Sequence, residues 1–68
     1  MKYTIVEISG VITQIALKTE IGGYTEGIME IFFPDNIEKW STKKSNKWIT
    51  ENNKRMKAIC KFLNENSL

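Results

Sequence analysis

Three lysines, Lys47, Lys54 and Lys61, recur every seven residues, and Lys57 lies one helical turn before the last of them. At about 100° per residue, that spacing stacks their ammonium groups along one side of a helix. Such a row could track the phosphates of a nucleic acid or dock on an acidic protein surface. The wider segment from 39 to 61 holds Lys39, Lys43, Lys44, Lys47, Lys54, Arg55, Lys57 and Lys61 against the single acid Glu51, while the whole chain carries only +2. The ordinary duty of such a row is to keep the outer side of an amphipathic helix in water. Base-specific reading usually adds Arg, Asn or Gln at base edges. Here Arg55 is the one arginine, on the helix flank, and Asn52 falls on the apolar side.

Catalytic chemistry finds little material. There is no histidine, so the commonest general base is missing. Cys60 is the one cysteine and falls within an apolar stripe, where thiols are usually inert. A lone Cys without His assembles no zinc site, and no disulfide can form within the chain. No two carboxylates are placed by a motif, and Gly10, Gly22, Gly23 and Gly27 fit no phosphate-binding loop. The expectation is a protein that is not an enzyme, with no cofactor and no metal.

The elements that must position these residues divide at Pro34, the only proline. Residues 3–8 and 11–18 are rich in β-branched side chains and alternate with period two, with Ser9-Gly10 between them as a tight hairpin turn. Pairing Ile8 with Val11, Val6 with Thr13 and Thr4 with Ile15 puts Val6, Ile8, Val11, Ile15 and Leu17 on one side. Tyr3, Ile5, Glu7, Ile12, Gln14, Ala16 and Lys18 take the other. A third strand follows at about 25–33. A loop of odd length or a bulge near Gly22–Tyr24 brings Met29, Ile31 and Phe33 to the first side and keeps Glu30 off it.

Beyond Pro34, Asp35-Asn36 reads as a helix start. A short helix is expected at about 35–41, a polar loop at 41–46, and a longer helix at about 46–64 capped by Ser45. In the longer helix Trp48, Ile49, Asn52, Met56, Ile59, Cys60 and Leu63 form one stripe, with Asn52 its polar interruption. Trp40, Trp48 and Phe33 read as core packing, although either tryptophan could stack on a base or anchor an interface. Phe62 lies toward the stripe edge, and residues 64–68 read as a frayed end.

The fold expected is therefore α+β, in one small domain spanning 1–68. A three-stranded antiparallel β-meander (about 2–8, 11–18 and 25–33) precedes the short and the long helix, both packed on one sheet face. The opposite face, with Tyr3, Ile5, Ile12, Ile28 and Phe32, is then uncovered and becomes a candidate surface for a partner protein or a homodimer. A second candidate surface, for a partner or a nucleic acid, is basic: Lys43, Lys44, Lys47, Lys54, Lys57 and Lys61. No apolar run approaches the roughly 20 residues of a membrane span, which points to a cytoplasmic protein without membrane contact. Glu7 interrupts the N-terminal apolar run, against a signal peptide. A chain of 68 residues buries only about 60% of its unfolded surface and needs very good packing or a partner chain. Size and composition fit a small non-catalytic regulator or inhibitor of the phage or mobile-element type. Such a protein would act by protein–protein interaction, for instance on a nucleic-acid-processing complex. Direct nucleic-acid binding through the basic helix is the alternative.

Overall fold

The computed structural model describes residues 2–18 and 24–66. Three antiparallel strands, β1 (Lys2–Ile8), β2 (Val11–Lys18) and β3 (Tyr24–Glu30), form a sheet in the order β1-β2-β3. One long helix, α1 (Thr42–Glu65), packs across it. The expected turn at Gly22–Gly23 and the bulge near it lie outside the described residues.

The first hairpin turns where expected. Ser9 and Gly10 have φ of 50° and 81°, the two left-handed positions of a type I′ turn, and Ile8 pairs with Val11. The register then departs from strict alternation. Glu7 pairs with Ile12 but Val6 with Gln14, so Thr13 is an extra residue on β2. From there Ile5 pairs with Ile15, Thr4 with Ala16 and Tyr3 with Leu17. The expected pairs Val6–Thr13 and Thr4–Ile15 are thus each displaced by one residue. A bulge reverses the facing of everything beyond it, so Ile12 and Ile15, three apart, point the same way. Across the second pairing Ile15 meets Met29 and Gln14 meets Glu30, while Ala16 meets Gly27, leaving Ile28 as an extra residue.

The core follows from these shifts. Ile12, Ile15 and Met56 are wholly buried and Cys60 nearly so, with Tyr3, Ile5, Met29, Ile31, Ile59 and Leu63 packed around them. The helix therefore covers the face that carries Tyr3, Ile5 and Ile12, which strict alternation assigned to the uncovered side. The cause is the Thr13 bulge. Met29, Ile31 and Ile15 do share the covered face, as expected.

Three asparagines join helix to sheet. Asn52 Nδ2 donates to the Ile12 carbonyl at 3.0 Å, and Asn53 Oδ1 accepts from the Ile12 N–H at 2.9 Å. Ile12 thus has both backbone groups bonded to side chains of the helix at the point where the bulge disturbs the ladder. Asn53 Nδ2 also donates to the Gly10 carbonyl at 2.8 Å. At the far end of β1, Asn64 accepts from the Tyr3 N–H at 2.7 Å and donates to its carbonyl at 3.0 Å. Asn64 is therefore docked on the sheet rather than frayed. Asn52 is 1% exposed, and its Oδ1 has no partner.

Between sheet and helix the chain makes one 3₁₀ turn, Ile37–Lys39, in place of the expected short helix at 35–41. Asn36 enters it with φ 60° and Trp40 leaves it extended, so helical geometry does not propagate on either side. The long helix starts four residues earlier than expected. Ser41, not Ser45, is the N-cap, its Oγ accepting from the Lys44 N–H at 3.2 Å. The stretch 41–46 read as loop because it is polar. No Gly or Pro interrupts it, and polar residues suit a turn of helix that projects into water. With 24 residues, α1 is about 36 Å long, longer than the strands beneath it. Its buried residues all lie at or beyond Asn52, and its first turns extend past the Ser9-Gly10 hairpin. There Phe33 packs on Trp48, ring centroids 5.6 Å apart, and Lys44 lies over the Trp40 ring at 4.1 Å.

Candidate functional site

The structure divides the five apolar residues expected on the uncovered face. Ile12 is fully buried under α1, and Tyr3 and Ile5 pack against the same core. None of these three is presented on the open side. Ile28 and Phe32 remain accessible, at 46% and 89% exposure.

The face turned away from α1 is built from other residues. Val6 pairs with Gln14 and Gln14 with Glu30, so these three side chains share that side, opposite Ile5, Ile15 and Met29. Gln14 Nε2 donates to Glu30 Oε1 at 2.6 Å, bridging β2 and β3. Gly27 lies beside this bridge, where a Cβ would come 3.2 Å from Gln14 Cδ. Thr13, on the bulge, donates its hydroxyl to the Val6 carbonyl at 3.3 Å and accepts the Ile31 N–H at 3.1 Å. Ile8, on the outer end of β1, is 62% exposed.

Together Val6, Ile8, Thr13, Gln14, Glu30 and Ile31 line a shallow open groove of about 300 Å³. Beside it stands Phe32. Ile31 packs toward the core and Phe33 against Trp48, so the alternating chain sends Phe32 to the open side with Glu30. The arrangement has the makings of a binding surface: a concavity of mixed polar and apolar lining, one carboxylate held by an amide, and an aromatic ring in water. Sequence reasoning placed Gln14 on this side but missed Val6, Ile8 and Thr13 as surface residues. The available signal was the polar doublet Thr13-Gln14 between the apolar pairs Val11-Ile12 and Ile15-Ala16, which strict alternation does not accommodate.

The basic residues are all brought onto one helix. Lys43, Lys44, Lys47, Lys54, Lys57 and Lys61 are exposed on α1, Lys43 and Lys44 lying in its first turn rather than in a preceding loop. Lys43, Lys47, Lys54 and Lys61 line up on the side opposite Met56, in a row about 27 Å long. Lys44 leaves the row toward Trp40, and Lys61 approaches Glu65 at 3.9 Å, the one ion pair among the described residues. An exposed i,i+4 pair of this kind contributes about 0.3–0.5 kcal/mol and leaves the row positive.

Among the described residues no helix is long and apolar enough to cross a membrane, and no three His, Cys, Asp or Glu side chains cluster. Comparison with protein-family models, curated proteins and solved structures found no match to this chain.

Proposed function

We propose that this chain is a small non-catalytic binding protein, a regulator or inhibitor that works by docking another protein on the uncovered sheet face. The observation that carries this reading is Phe32, 89% exposed, next in sequence to Ile31 of an open groove with mixed lining on a sheet face that no element of the described chain covers. Large aromatic side chains next to a concavity are the usual anchors of protein interfaces. The test compares capture of a cellular partner by the wild-type chain with capture by Phe32→Asp and by Lys54→Glu/Lys61→Glu. Phe32→Asp is expected to lower recovery of that partner at least tenfold, with the lysine variant near wild type. Equal recovery with Phe32→Asp and Ile8→Asp rejects the reading.

A second reading is direct nucleic-acid binding. It is favoured by the earlier start of α1, which extends the lysine row to Lys43. Contact with phosphates along that row requires affinity that falls steeply with salt, by a log–log slope near the number of contacts. A gel shift with generic DNA and RNA at low salt, negative at micromolar protein, eliminates it.

A further inference from the structure

We infer that the occupant of the uncovered sheet face is a second copy of this chain, the two copies packing sheet to sheet about a twofold axis. The inference rests on the reading of that face as the binding surface and names its partner.

The first argument is area. A compact monomer of 7.9 kDa has an accessible surface of about 4,400 Å². This chain exposes 5448 Å². The difference, about 1,000 Å², is on the scale of the roughly 800 Å² that each partner contributes to a standard stable interface. The radius of gyration is 13.6 Å, where a compact chain of this length has about 11 Å. The longest dimension is 42 Å, in line with a helix that projects past the sheet.

The second argument is self-complementarity. A twofold interface brings the same patch of both copies together, so a projection and the concavity that receives it must lie on one surface. Phe32 is the projection, and the groove of Val6, Ile8, Thr13, Gln14, Glu30 and Ile31 is the concavity. An open volume of about 300 Å³ has room for a phenyl ring.

The third argument is charge. A twofold axis sets like charges against each other, so the face must be nearly neutral. The only charged residue in the groove is Glu30, held by Gln14 at 2.6 Å; Lys2 and Lys18, paired at the far end of the β1–β2 ladder, share the face outside the groove. The lysine row lies on the far side of α1 and would stay on the outside of both copies. The assembly is then four layers, helix–sheet–sheet–helix, with the two sheets about 10 Å apart.

Sedimentation velocity on the full chain over about 1–300 µM is the test. A dimer of twice the 7.9 kDa chain mass is expected for wild type, with isotope-filtered NOEs from the Phe32 ring to Val6 and Ile8 methyls of the other copy. Phe32→Asp and the milder Phe32→Ser should sediment as folded monomers. Phe62→Ser, which removes another exposed aromatic (63%) on the helix, should remain dimeric. A wild-type monomer throughout, or a dimer that survives Phe32→Asp, overturns the inference. The two proposals fail separately. A monomeric wild type whose partner capture still depends on Phe32 rejects the second copy and keeps the binding face. A Phe32-dependent dimer whose partner capture ignores Phe32 keeps the second copy and removes the other protein from this face.

Discussion

The two faces of the sheet come from the same three strands and meet opposite fates. Under α1, Ile12, Ile15 and Met56 are sealed from water, and three asparagines tie the helix to the backbone beneath it. On the other side Ile8 and Phe32 stand in solvent around an open groove, and the main polar contact is the exposed Gln14–Glu30 bridge. Only one helix follows the sheet, so the described chain can close one face by itself. Stability is thereby concentrated on one side, and the other is left open.

Substitutions should separate the faces sharply. Met56→Ala removes the centre of the covered face and should cost about 2–5 kcal/mol. The whole domain is worth only about 3–10 kcal/mol at this length, so much of the population should unfold, as read by urea titration followed by circular dichroism. An unchanged midpoint would mean that the covered face is not the core. Asn53→Ala frees the Ile12 N–H and the Gly10 carbonyl and should cost about 1–3 kcal/mol. It should also speed hydrogen exchange at the Ile12 amide far more than at the Val6 amide. Ser9→Asn, at φ 50°, suits the left-handed turn better and should stabilise by under about 1 kcal/mol, raising the thermal midpoint by a few degrees. Phe32→Ser, on the open face, should change the stability of the monomer by no more than about 0.5 kcal/mol in the same titration at low concentration. A loss comparable to that of Met56→Ala would show that Phe32 is part of a core and would end the contrast.

Much of this was legible in advance. The helical stripe of Met56, Ile59, Cys60 and Leu63 follows from its spacing, and these residues do meet the sheet. Ser9-Gly10 announced its turn, and the facing of Met29 and Ile31 with Ile15 followed from keeping Glu30 out of the core, although the shift beside Met29 lies at Ile28 and not near Gly22–Tyr24. The exposed lysine row was equally plain, apart from Lys43, which awaited the true helix start at Ser41. What escaped on the sheet was a single extra residue, and beyond it the short helix at 35–41, which is a 3₁₀ turn, and the helix start at Ser41. The break in alternation at the polar doublet Thr13-Gln14 was the one hint of where the ladder slips, and one slip at Thr13 exchanges the faces on either side of it. The candidate surface changed membership for that reason: Tyr3, Ile5 and Ile12 went under the helix, Val6 and Ile8 came out, and Gln14 stayed on the open side. Asn52 likewise read as a flaw in the apolar stripe, because its partner, the Ile12 carbonyl, is 40 residues away.

By itself the sequence determined the local periods: three short β segments, a break at Pro34, one amphipathic helix and a basic outer side. Those are properties of neighbours along the chain, set by side-chain type and spacing. Only the tertiary structure decided which sheet face the helix covers. That choice depends on a one-residue bulge and on long-range asparagine bonds, both of which form when distant segments meet. The face left open, with Phe32 beside its groove, is the consequence of that meeting.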